Sequence, residues 1–171
     1  MGVFMASVAF RITEKNNWEV IKPQIESMFK GLDGLTDNLD SDGPGYAIVS
    51  PYGEMGMFLA ELPEKISKMT GGYAVFANCC DSDFALVELY HNGTLVEKSC
   101  IGECYEEFED FVGSTEPAPS NWLPLLVDQS RLPELEQALG EVDVFAEDNL
   151  RLLSVVTQLP IFDDELVFGM N

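Results

Sequence analysis

Basic residues are scarce in this chain: nine lysines and arginines stand against thirty aspartates and glutamates in 171 residues, and histidine occurs once. A net charge of −21 repels polyanions, which argues against free nucleic acid as a direct ligand, and the clustered cations that phosphate substrates need are missing. The single histidine, His91, directly precedes an Asn-Gly pair, where a turn exposes it, and no Ser or Cys is placed nearby to use it as a base. Absent too are the phosphate loop G-x-x-x-x-G-K-[ST], the dinucleotide fingerprint G-x-G-x-x-G, the zinc signature H-E-x-x-H and the nucleophile elbow G-x-S-x-G. Paired carboxylates such as Asp81 with Asp83, or Glu106 with Glu107, are the remaining catalytic device, and among thirty acids such pairs arise freely. Nothing nominates an enzyme, and no cofactor is expected.

Long apolar runs are also lacking. Val3 to Phe10 is too short to span a bilayer and has no basic leader of the secretory kind, so the expectation is a cytoplasmic protein without a membrane partner. Gly2 begins a myristoylation-like start that fails at Ala6, where Ser or Thr is required, and the sequon Asn92-Gly93-Thr94 is better explained as a turn. The cysteines, Cys79, Cys80, Cys100 and Cys104, form a vicinal pair and a C-x3-C rather than two C-x-x-C knuckles, which favours reduced thiols over zinc. Asn38 to Gly43 resembles the opening of a calcium loop, but Pro44 and Gly45 follow and Val49 stands where a bidentate glutamate is needed.

What is present is core material: 46% of the residues are hydrophobic and 11% aromatic, enough for one ordinary domain. Val3 to Ile12 is an apolar run of strand length. Trp18, Ile21, Ile25, Met28 and Phe29 recur at helical steps, with Pro23 in the first turns and a stop near Gly31. Asp33 to Gly45 is a loop leading to a short strand at 46–50. A second helical stripe runs from Met57 to Met69, with Pro63 as a break or new start and Gly71-Gly72 as its end. Three strand-like runs follow, 73–79, 84–91 and 94–101, joined through Asp81-Ser82-Asp83 and Asn92-Gly93. Helices are expected at 133–139 and 146–159, with an edge strand or docked terminus from Phe162 onward. The fold class is therefore α+β: an antiparallel-dominated sheet with a central three-strand meander, packed by amphipathic helices. Residues 1–112 form its sheet core, 113–120 a linker or loop, and 121–171 a helical part docked on the same domain.

A two-residue Asn92-Gly93 hairpin predicts that Tyr90 faces Leu95, Leu89 faces Val96, Glu88 faces Glu97, Val87 faces Lys98 and Ala85 faces Cys100. Ala85, Val87, Leu89, Val96 and Cys100 would then line the core, with Lys98 as its only charge. Glu88 and Glu97 would oppose each other on the other face, where solvent must screen them or a partner's cation must join them. In the same meander a whole strand separates Cys79 from Cys100, about 9 to 10 Å at ordinary strand spacing, too far for a disulfide.

Past the meander, Glu103, Glu106, Glu107, Glu109 and Asp110 surround Tyr105, Phe108 and Phe111 in an acidic, helix-like segment with an aromatic edge. Elsewhere, Asp81-Ser82-Asp83 leads into Leu86 to Tyr90, Asn92-Gly93 and Leu95-Val96. Later come Asn121-Trp122, Leu125-Leu126, Leu135 and Phe145-Ala146-Glu147-Asp148 before Leu150. Together these stretches resemble small acidic bacterial proteins that include immunity-like partners of toxins. The resemblance implies a bacterial, cytoplasmic protein that recognises another protein through shape and charge.

The expected function is accordingly a binding module, of immunity or regulatory type, that neutralises a basic protein by presenting carboxylates to its lysines and arginines. The residues expected to carry it are Glu88, Glu97, Glu103, Glu106, Glu107, Glu109 and Asp110, with Tyr105 and Phe108 as aromatic anchors. Three rival readings stand beside it: a DNA mimic with its carboxylates in one extended stripe, an enzyme using a carboxylate pair in a concave pocket, and charge that serves only solubility. Phe108 reads equally as core, with its neighbouring acids merely solvated. The oligomeric state has no sequence signal.

Overall fold

The computed structural model describes residues 2–11, 18–30, 36–37, 39, 45–50, 61–102 and 116–168; of 36–37, 45–50, 166 and 168 it describes the backbone alone. The loop expected over 33–45 is interrupted by a two-residue strand at Thr36–Asp37; its residues 33–35, 38 and 40–44 lie outside the described ones, as do the start of the second helical stripe at Met57, the acidic segment from Glu103 to Asp110 and 113–115 of the expected linker.

Among the described residues, six antiparallel strands form one sheet in the order β2-β3-β1-β4-β5-β6: β1 (Met5–Arg11), β2 (Thr36–Asp37), β3 (Gly45–Ser50), β4 (Tyr73–Cys80), β5 (Phe84–His91) and β6 (Thr94–Gly102). The apolar run of β1 suits its central place, since all of its residues but Arg11 are buried. The meander β4-β5-β6 forms as expected. Both of its turns hold two consecutive residues at positive φ, Asp81 and Ser82 at 51° and 64°, and Asn92 and Gly93 at 49° and 77°, the backbone that tight hairpins require.

Side-chain alternation gives the sheet two covered faces. One face presents Ala6, Val8, Phe10, Ala74 and Phe76 to α1 (Trp18–Phe29) and α2 (Leu62–Thr70), where Ile25, Phe29, Leu62 and Ile66 complete a core cluster. Helix α2 starts with Pro63 in its first turn and ends at Gly71, whose φ of 66° is the left-handed conformation that stops helices.

The opposite face presents Met5, Ala9, Val75, Ala77, Ala85, Val87, Leu89 and Ile101 to the C-terminal third of the chain. That layer comprises α3 (Pro119–Trp122), 3-10 turns at Leu123–Leu125 and Gln129–Arg131, α4 (Leu132–Ala138), α5 (Ala146–Thr157) and the short α6 (Asp164–Phe168). Trp122, Leu135, Leu150, Leu153 and Val156 share one core cluster with the strand residues, so the C-terminal part docks on the same sheet. Within the described part of the tail, 162–168, the chain forms a short helix with Ile161 and Phe162 buried before it rather than an edge strand, and 169–171 lie outside the described residues.

The hairpin register differs from expectation by one residue. Tyr90 pairs with Leu95 as predicted, but a bulge then leaves Val96 without an opposite number, and Leu89 pairs with Glu97, Glu88 with Lys98, Val87 with Ser99 and Ala85 with Ile101. One inserted residue sends every later side chain of β6 to the other face. Glu97 and Ser99 therefore join the C-terminal layer, while Lys98 and Cys100 join the face of Glu88. The predicted Glu88–Glu97 opposition does not exist, and Cys100 is not on the core face that holds Cys79.

Candidate functional site

The β4–β5 turn and the edge of the meander, together with the C-terminal layer, enclose a cleft of about 910 Å³. Four stretches of chain form its walls. Asp83 comes from the β4–β5 turn, Cys100 and Gly102 from β6, Glu116 with Pro117 and Pro119 from the run into α3, and Glu136 to Val144 from α4 and the connection beyond it. Four carboxylates, those of Asp83, Glu116, Glu136 and Glu141, stand over walls that include Leu139, Val142 and Val144, and no described residue lining the cleft is basic. Val144 is 68% exposed, which leaves apolar surface uncovered beside the acids.

Each wall has its own anchor. At the β6 end, Gly102 has φ +90°, and a Cβ there would lie 2.8 Å from Asp83 O and 3.0 Å from Val142 Cγ2, so glycine is what lets the α4–α5 connection approach the strand. That connection is in turn held by Asn149, buried inside α5, whose Nδ2 donates to Ala138 O at 3.1 Å and to Gln137 O and Glu141 O at 3.4 Å. The β4–β5 turn is tied to the start of α5. Ser82 Oγ donates to Glu147 Oε1 at 3.0 Å and accepts from Val3 N at 2.8 Å, while Ala146 N donates to Ser82 O at 2.8 Å. Glu147 lies in the first turn of α5, where the helix dipole favours a negative charge.

The wall at Glu116–Pro119 is anchored by Glu97. The bulge delivers its carboxylate to the C-terminal layer, where Oε1 accepts from Trp122 Nε1 at 2.8 Å and Ser99 Oγ at 3.0 Å, and Oε2 from Asn121 Nδ2 at 2.8 Å and Ala118 N at 2.9 Å. On the other face, Glu88 takes Lys98 Nζ at 2.9 Å and the Tyr90 hydroxyl at 2.9 Å. Burial, and next the hydrogen bond to Glu88, push the Tyr90 hydroxyl well above its ordinary pKa.

Of the residues expected to meet a partner, Glu88 and Glu97 are thus buried and occupied by donors of their own chain, for the same reason that the register moved. Glu103, Tyr105, Glu106, Glu107, Phe108, Glu109 and Asp110 lie outside the described residues. The cleft carboxylates come from positions spread over some sixty residues, and sequence reasoning did not gather them. His91 is exposed as expected and stacks on Tyr73, with ring centroids 4.2 Å apart.

Cys79 is a buried thiol, and Cys80 and Cys100 are half-buried. Burial, followed by the nearby Glu147 carboxylate, pushes the Cys79 thiol up to about 12, which leaves it protonated and unreactive near neutrality. Among the described residues no three histidines, cysteines or acids are grouped to hold a metal ion, and no helix is long and apolar enough to cross a membrane. Comparison with protein-family models, with curated proteins and with solved structures finds no match to this chain.

Proposed function

We propose that the chain is a protein-binding module that takes a cationic segment of a basic partner into the acidic cleft, in the manner of an immunity-type or regulatory protein. The observation that carries this reading is the convergence of Asp83, Glu116, Glu136 and Glu141 on one concavity that also offers Leu139, Val142 and Val144. Lysine and arginine side chains have this dual character: an aliphatic stem that packs on apolar surface and a charged head that seeks carboxylates. A cleft of about 910 Å³ has room for several such side chains on a projecting loop. The net charge of −21 adds long-range attraction, so association should be fast at low salt and slow as salt rises. Carboxylates gathered around a concavity suit a projecting cation better than the extended stripe that a DNA mimic needs.

Titration with an oligolysine peptide, followed by NMR shifts of the cleft residues, tests the reading. Binding should weaken with salt, and the double reversal Glu136→Lys, Glu141→Lys should weaken it about tenfold, since each exposed pair contributes up to ~1 kcal/mol and reversal also adds repulsion. Shifts scattered over the acidic surface, with an affinity indifferent to the reversal, would reduce the charge to a solubility device.

A further inference from the structure

The Glu116–Pro119 wall contains no helix or strand before Pro119, and its attachment lies outside the cleft. Ala118 stands between the two lining prolines. Because proline carries no N–H, Ala118 supplies the only backbone donor among residues 117–119, and that donor is spent on Glu97 Oε2. Asn121 and Trp122, one turn further on, donate to the same carboxylate from α3.

We propose that Glu97 is the positioning residue of the cleft, its buried carboxylate setting where the Glu116–Pro119 wall stands and so the shape a cationic segment meets. The inference rests on the cleft being the binding site, but the positioning itself can be read without any ligand. Chemistry favours a carboxylate in this role. Four donors converge on it, two to each oxygen, and only an ionised acid offers two oxygens that both accept without donating. A glutamine of the same size turns an N–H₂ toward two of those donors; the Ser99 hydroxyl or the Asn121 amide can turn to accept from it, but Trp122 Nε1 or Ala118 N can only donate and must lose its bond.

Glu97→Gln is therefore the test, made in a background with Cys80→Ser and Cys104→Ser. Cys100, which lines the cleft, then reports on the wall through its rate of labelling by a small maleimide, while Cys79 stays buried and protonated. Labelling of Cys100 should accelerate about tenfold, the factor that losing roughly one hydrogen bond allows. The NMR signal of the Trp122 indole N–H should move upfield while that of Trp18 stays put, a signature that general destabilisation does not give. Oligolysine affinity should fall in parallel.

If the Trp122 signal moves but Cys100 labelling and oligolysine affinity match the parent, the wall is held by something else and the proposal is overturned. If Glu97→Gln does not fold, Asn121→Ala removes a single donor from a half-buried site. It should raise the labelling rate about threefold, and an unchanged rate overturns the proposal equally. If Cys100 labelling responds but oligolysine never binds the parent, Glu97 still positions the wall and it is the binding reading that fails.

Discussion

Glu88 and Glu97 belong to one hairpin and are equally buried, each 7% exposed, yet they face opposite layers and are satisfied by different means. Toward the N-terminal helices, Glu88 has a counter-charge: the ammonium of Lys98, with the Tyr90 hydroxyl on its other oxygen. Toward the C-terminal layer, Glu97 meets no cation among the described residues and relies on four neutral donors, three of them 21 to 25 residues further along the chain. A counter-charge can rearrange, because the Lys98 side chain is one-third exposed and can swing its head into water. The donors around Glu97 sit on α3, on Ala118 just before it and on β6, and have nowhere to go. One face tolerates change by moving a side chain, whereas the other needs its geometry intact.

Removing each carboxylate tests this contrast, and Glu97→Ala should show the largest effect. It leaves an indole N–H, an amide and a backbone N–H without an acceptor in or beside the core, at a cost of about 4 kcal/mol. Urea denaturation followed by circular dichroism measures the loss as a fall in midpoint at unchanged slope. A loss under ~1 kcal/mol would mean that water replaces the carboxylate, and the contrast would collapse.

Glu88→Ala should cost less, about 1 to 2 kcal/mol, because Lys98 escapes to solvent and the half-buried Tyr90 hydroxyl needs one replacement partner. The double variant Glu88→Ala, Lys98→Ala separates pair from packing: a coupling well below 1 kcal/mol would show that Glu88 needs its donors no more than an exposed carboxylate does. Equal losses for Glu88→Ala and Glu97→Ala would remove the distinction between the faces.

Much of this architecture was legible in the sequence. The periodicities of Trp18 to Phe29 and Ala146 to Leu159, the helix start at Pro63 and the Asn92-Gly93 turn each report a local preference that the fold keeps. The failure at Val96 has a physical reason. Placing an apolar Val96 rather than an acidic Glu97 against Leu89 is the better local choice, and it loses because donors at Ala118, Asn121 and Trp122 reward the bulge from a distance. The cleft was hidden for a similar reason, as Asp83, Glu116, Glu136 and Glu141 are isolated in sequence and meet only through the packing of α4 and α5 on the meander. Asn149 did leave a trace. Asparagine is a poor residue for a helix interior, and its presence among Leu150, Leu153 and Val156 signals a side chain occupied with neighbouring carbonyls.

Alkali offers the finest comparison of the faces, because each holds one neutral acid whose ionisation the fold opposes: Cys79 on the C-terminal side, lifted from 9.0 to about 12, and Tyr90 on the other, also lifted from its ordinary 10.0. Below pH 9 both groups are protonated whether the chain is folded or not, so their contribution is fully present. Between pH 9 and 12 the unfolded chain releases the Cys79 proton while the folded chain keeps it, and stability must fall as pH rises. The loss from Cys79 amounts to about 1 kcal/mol by pH 10, and the Tyr90 share follows from about pH 10 upward. In urea midpoints measured from pH 8 to 11, Cys79→Ala should flatten the first part of the decline and Tyr90→Phe the second. A decline that Cys79→Ala leaves unchanged would mean that the Cys79 thiol is reached by solvent and that the C-terminal layer is looser over β4 than Glu147, Ser82 and the surrounding core imply.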